Sequence, residues 1–184
     1  IKINTNQIKY FLRNKDFENK NFLLKGNWDK KKLPIVQYKN YNKNYFSVYQ
    51  IFKHKTHYTK TKEYEFKSKI ILSGNKTTRN QTSIADLNRY FKNLLLLKKN
   101  ILKKGYLSQT ELKTNKFDEI GVVIGSNGEF IKLEDKFGGT HRFAIARIFK
   151  IKKIYVKVVG IHQKYINKLN TSKFKKLKKN LLFE

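Results

Sequence analysis

Residues 118–162, DEIGVVIGSNGEFIKLEDKFGGTHRFAIARIFKIKKIYVKVVGIH, hold the chain to a fold that mixes strand with helix. Ile120-Gly121-Val122-Val123-Ile124 is an unbroken apolar run of strand length. Gly125-Ser126-Asn127-Gly128 carries an Asn-Gly turn, and Glu129-Phe130-Ile131-Lys132-Leu133 alternates like a returning strand. A β-hairpin is therefore predicted. Gly138-Gly139 then opens a helix with Phe143, Ala144, Ile148 and Phe149 on its apolar face, and residues 154–159 form a further strand.

Upstream of this stretch the clearest helix begins at Ser83, a suitable N-cap, with Asp86 in its first turn. Leu87, Tyr90, Phe91, Leu94 and Leu95 follow, and the pattern stops at Gly105. A polar loop then runs to Asn115. Aromatic residues recur with Lys from Asn44 to Phe66, and the Tyr45-Tyr49-Phe52 spacing predicts a helix that buries one face; stacking of single-stranded bases is the alternative. The first 60 residues read otherwise as irregular, with a turn at Gly26-Asn27-Trp28-Asp29 anchored by a buried Trp28. Lys164 to Asn180 has helical spacing and a Lys-rich face, which suits a packed terminal helix or an amphipathic helix on an anionic membrane. The expected organisation is an N-terminal extension over 1–82, an α/β (α+β) domain over 83–162 and a basic tail over 163–184.

With no Cys, disulfides, thiolate metal sites and thiol nucleophiles are excluded. His54 and His57 lack metal-ligand spacing to acids, and no metal site is expected. No apolar run approaches membrane-spanning length, and the N-terminus lacks a signal peptide's apolar core; the absence of Met at position 1 reads as a trimmed start. The expected location is cytoplasmic, with peripheral contact at the inner membrane surface as an extension of that expectation.

The net charge of +29, from 42 basic and 13 acidic residues, suggests a polyanionic partner. Yet Lys supplies nearly all of it. Arg appears only as Arg13, Arg79, Arg89, Arg142 and Arg147, so the Arg preference of proteins that read nucleic-acid sequence is missing. What remains is weak, non-specific contact with nucleic acid or anionic membrane.

The chemistry concentrates at Gly138, Gly139, Thr140, His141 and Arg142. Glycines let backbone N–H groups approach an anion, and a helix starting there adds its positive dipole end. Thr140 brings a hydroxyl, Arg142 a permanent cation and His141 a group that exchanges protons near neutrality. These parts suit a phosphate. Few acids are available to serve as a base beside it: Asp118 and Glu119 at the strand entrance, and Glu134 and Asp135 before the loop. His162, after the last strand, is a further ligand or base candidate, and Trp28 a stacking one. A paired-carboxylate cluster suited to two-metal nuclease chemistry is not seen.

In its order of elements the chain resembles the ParB/sulfiredoxin superfamily. Gly139, His141, Arg142, Ala144 and Ala146 match that family's phosphate-binding box, written G-E-R-R or D-G-x-H-R before an Ala-rich helix, and the strand at 154–159 matches as well. The match covers residues 83–162. More narrowly, Gly105-Tyr106-Leu107-Ser108-Gln109, Glu111-Leu112, Asp118-Glu119-Ile120, the box, His162 and Gly26-Asn27-Trp28-Asp29 resemble ParB-related proteins of prokaryotic surface-polysaccharide regions.

The resemblance implies a nucleotide, ATP or CTP with Mg²⁺, held by residues 138–142. Asp118, Glu119, Asp135 or His141 would be catalytic, His162 and Trp28 would contact substrate, and a small-molecule or glycan hydroxyl would accept the phosphoryl group. The alternative is a non-catalytic module that binds DNA, RNA or anionic glycolipid. Thr140 stands where sulfiredoxins carry their catalytic Cys, which rules out sulfinic-acid reduction. Lys150 stands where a Gly usually ends the box helix and Tyr155 where a Pro often begins the strand, and the tail is too short for ParB's helix-turn-helix part.

Overall fold

The computed structural model describes residues 1–17, 21–114, 119–134 and 138–173, with Lys175 and Lys179. The fold is mixed α/β. The predicted hairpin forms from β5 (Ile120–Ile124) and β6 (Phe130–Leu133), antiparallel with Val122 opposite Lys132 and Ile124 opposite Phe130. Gly125 N–H donates to Glu129 C=O at 2.9 Å, closing a three-residue loop in which Gly128 takes φ +81°, a conformation that Gly adopts without strain.

From β6 the chain crosses through α5 (Thr140–Ile148) to β7 (Lys153–His162), which lies parallel to β5 with Ile120 opposite Val156 and Ile124 opposite Ile161. The far end of α5 is closed by Lys150 in the left-handed region, at φ +53°. Lys150 N–H donates to Arg147 C=O and Ile151 N–H reaches back to Ala146 C=O, the two hydrogen bonds of a Schellman cap. Lys150 thus adopts the backbone that a Gly would adopt at that place.

The irregular reading of the N-terminus is corrected here. Four strands come from the first 34 residues: β1 (Lys2–Asn4), β2 (Ile8–Leu12), β3 (Leu23–Leu24) and β4 (Leu33–Pro34). The sheet order is β1-β7-β5-β6-β2-β4, with β3 also on β7. β2 runs parallel to β6, and its Ile8, Phe11 and Leu12 are fully buried. β1 and β3 take successive halves of β7's free edge. Strands of two to five residues acquire their hydrogen bonds from a distant partner, so they have little periodicity of their own.

The helices α1 (Tyr38–Tyr41), α2 (Lys43–Lys53), α3 (Lys62–Leu72) and α4 (Ile84–Lys104) come from the middle of the chain. As the aromatic spacing predicts, α2 buries Tyr45, Val48 and Ile51, and Asn42 caps it by accepting from Tyr45 N–H at 2.8 Å. Its Tyr45 ring lies 6.2 Å from that of Phe143 on α5, which ties the two helices together. Ser83 Oγ caps α4 by accepting from Asp86 N–H at 3.1 Å; Leu87, Phe91, Leu94 and Ile101 are buried, and Gly105 ends the helix at φ +81°. Leu95, predicted on the apolar face, is exposed.

The larger core joins helices α2 to α5 to the sheet, with Ile120, Val122, Ile154 and Val156 facing it. A smaller core of Leu12, Phe17, Leu24, Val123, Ile131 and Leu133 holds together another part of the sheet. After β7 comes α6 (Gln163–Lys168), capped by His162. Most of the predicted tail helix beyond Lys173 lies outside the described residues. Among the described residues no helix is long and apolar enough to cross a membrane.

Candidate functional site

Gly138 and Gly139 hold successive left-handed conformations, φ +74° and +73°, and Gly139 is the N-cap of α5 without a side-chain acceptor. A Cβ on Gly139 would come within 2.6 Å of Ile120 Cα, so no other residue fits against the start of β5. Behind the loop lies Lys132, which is fully buried although its strand alternates. Its register partners Val122 on β5 and Phe11 on β2 both belong to the larger core, so Lys132 lies on the helix-covered face of the sheet and turns its ammonium to backbone carbonyls: Leu133, Glu134 at 3.0 Å and Gly138 at 3.3 Å. The Glu134 carbonyl also accepts from Tyr38 Oη at 2.7 Å and Thr140 Oγ1 at 3.3 Å. A buried cation and two hydroxyls thus converge on the Glu134 carbonyl.

Arg142 lies under the loop. One guanidinium nitrogen donates to Glu119 Oε2 at 3.1 Å and another to Leu107 C=O, while the group lies 4.4 Å over the Tyr106 ring. Its Nε is buried and has no hydrogen-bond partner among the described residues. Glu119 is buried as well, and its Oε1 accepts from Gln109 N–H at 2.5 Å. The pair anchors α5 to the segment after α4, which places Glu119 as the counter-charge of Arg142.

His141 precedes Arg142 on the helix. Its Nε2 lies 3.3 Å from Glu63 Oε2 and 3.1 Å from Tyr90 Oη. Glu63 Oε1 accepts from Tyr90 Oη at 2.6 Å and from Lys67 Nζ at 2.7 Å, and that ammonium sits 3.9 Å over the Tyr90 ring. Burial pushes the Glu63 carboxyl up, but His141 and Lys67 outweigh it and hold the group at about 2.

A cavity of about 160 Å³ opens on Arg79, Leu97, Gln109, Gly139, Thr140, His141 and Arg142. It meets a second, of about 400 Å³, at Arg79, which also lines that one with Asn80, Gln81, Asp86, Arg89, Tyr90 and Asn93. Small-molecule clefts run to roughly 300–1,000 Å³. The first cavity is smaller than that range and the second falls within it.

Of the sequence candidates, Glu119, Gly138, Gly139, Thr140, His141 and Arg142 thus gather at the start of β5. Asp118 and Asp135 lie outside the described residues. Trp28 and His162 lie at the other end of the β5/β7 pair, stacked with ring centroids 5.5 Å apart. His162 Nδ1 accepts from Lys164 N–H at 3.0 Å, and Nε2 is 3.0 Å from Gly26 C=O. Both ring nitrogens therefore have backbone partners. Asp29, whose Oδ2 accepts from Ser126 N–H at 3.0 Å, stands 3.7 Å from the ring.

Sequence reasoning passed over Glu63, Lys67, Tyr90 and Arg79. One signal was available: Glu63, Lys67 and Ile71 fall at i, i+4 and i+8 on α3, so a charged pair shares a stripe with a core residue. Among the described residues no group of three or more His, Asp or Glu is placed to hold a metal. No family model matches this chain, and neither does a curated protein or a solved structure.

Proposed function

We propose that this chain binds a nucleotide, ATP or CTP, by its phosphates at residues 139–142 and Arg79, and passes a phosphoryl group to a small-molecule or glycan hydroxyl. One observation carries the proposal. Three of the chain's five arginines, Arg79, Arg89 and Arg142, line two cavities that share Arg79, one of them open on the glycine end of α5, in a protein whose positive charge is otherwise almost all Lys. The Arg79 guanidinium has no hydrogen-bonding partner among the described residues and lies 5.8 Å over the Tyr90 ring, at the junction of the cavities. The resemblance to the ParB/sulfiredoxin superfamily points the same way. Mg²⁺ would be carried by the phosphate oxygens; among the described residues no cluster of protein ligands is placed for it.

A ligand at about 100 times its Kd adds about 2.7 kcal/mol of stability. For a chain of this size that raises Tm by roughly 5–10 °C. ATP or CTP with Mg²⁺ is expected to produce this rise, and Arg79→Ala, a change at an exposed side chain, to abolish most of it while leaving the ligand-free Tm nearly unchanged. No rise with any nucleotide would sink the proposal.

The second reading, a non-catalytic polyanion-binding module, is favoured by two clefts at the other end of α5. They are lined by Lys39, Lys53, Arg147, Lys150 and Lys152 and by no carboxylate. Its mark would be salt-sensitive binding to duplex DNA or anionic vesicles with no response to nucleotide.

A further inference from the structure

The buried cluster beside the loop specifies which atom of His141 exchanges a proton. Glu63 is ionised at neutral pH, so its oxygens only accept hydrogen bonds. At 2.6 Å the Tyr90 hydroxyl spends its proton on Oε1. The contact between His141 Nε2 and Oε2 therefore needs a hydrogen on Nε2, and the Tyr90 oxygen, 3.1 Å away, is a second acceptor for it. Nε2 keeps that hydrogen in both the neutral and the charged imidazole, which leaves Nδ1, 3.5 Å from the Tyr90 oxygen, as the atom that takes up and releases the proton. His141 lines the smaller cavity with Gly139, Thr140, Arg142 and Arg79.

From this geometry we infer that His141 is the general base at the phosphate cavity, acting through Nδ1, and that Glu63 is its positioning residue, supported by Tyr90 and Lys67. The inference rests on the nucleotide reading above. In the step, the acceptor hydroxyl gives its proton to Nδ1 as its oxygen bonds to the terminal phosphorus. The bond from phosphorus to the bridging oxygen breaks, and its electron pair leaves with the nucleoside diphosphate. Nδ1 then returns the proton to solvent or to the leaving group.

The test uses the full chain with MgATP and MgCTP as probes, and water as the acceptor. Phosphate release and the nucleotide-induced rise in Tm are measured together. Wild type is expected to release phosphate, and Glu63→Gln to lower kcat by about 10–100-fold with KM and the Tm rise unchanged, as befits loss of a group that orients a catalytic imidazole. Glu63→Asp should recover part of the rate. Glu63→Gln leaves Lys67 buried opposite a neutral amide, so Glu63→Gln/Lys67→Met serves if the single variant does not fold, with the same kcat loss expected. Long-range ¹H–¹⁵N NMR should show hydrogen on His141 Nε2 in wild type. Unchanged kcat in the Gln variants, or hydrogen on Nδ1 alone in the neutral ring, overturns the inference. Nucleotide binding without any release by wild type overturns it too, and leaves the binding proposal standing; no Tm rise fails both.

Discussion

Arg142→Met is expected to remove about 3–5 kcal/mol of stability, because it takes the guanidinium away from the Glu119 carboxylate, which is buried in the protein. Both side chains are less than a tenth exposed. Burying an ion costs several kcal/mol, and the partner offsets that cost only while it is present. The Leu107 carbonyl loses its guanidinium donor in the same change, and the Tyr106 ring loses the cation over its face. α5 is thereby released from the segment after α4, and the loop it opens should lose its nucleotide response. Arg142→Met/Glu119→Gln should regain most of the lost stability, since the double change removes both charges and leaves two neutral side chains of similar size. Denaturant unfolding of the two single variants and the double one measures the coupling. A loss below about 1 kcal/mol in Arg142→Met would put the pair in the class of surface salt bridges and remove it as the anchor of α5.

A second large effect appears with pH. The Glu63 carboxyl falls from its ordinary 4.5 to about 2 in the folded protein, where burial is outweighed by His141 and Lys67. Above pH 4.5 the carboxylate is ionised in both folded and unfolded chains, and its stabilisation is complete. As pH falls from 4.5 towards 2 the unfolded chain takes up the proton first, and the stabilisation drains away. A depression of this size corresponds to about 3 kcal/mol. The stability difference between wild type and Glu63→Gln should therefore narrow by that amount on acidification from about pH 5 to pH 2. A difference that does not change with pH would mean that Glu63 is not held ionised by its neighbours.

The parts of the fold that could be read from the sequence are those whose causes are local. The β5–β6 hairpin follows from an apolar run and an Asn-Gly turn, α4 from the Ser83 cap and the Gly105 stop, and α5 from the glycines that open it. β2 escaped notice because Ile8–Leu12 becomes a strand only by pairing with β6, more than a hundred residues later. Lys132 was read as one residue of an alternating strand, and its burial follows from the helices that cover its face of the sheet, where its register partners Val122 and Phe11 belong to the larger core. The loop at residues 138–142 was legible from residue type alone, whereas its acid was not. Glu63 lies 78 residues before His141 and Tyr90 lies 51 before it, and contacts that distant leave no spacing pattern in the chain. Trp28 was read as a stacking candidate and His162 as a ligand or base candidate. They stack on each other at the far end of the sheet, where His162 caps α6.

A titration of ¹⁵N-labelled protein with ATP or CTP and Mg²⁺, followed through the backbone amides, tests most directly whether the loop holds phosphate. Saturable shifts at Gly139, Thr140 and His141 and at the Arg79 side chain, with Trp28 and His162 unmoved, are the expected result. Amides of the loop that stay in place while the nucleotide binds elsewhere, or does not bind at all, would contradict it.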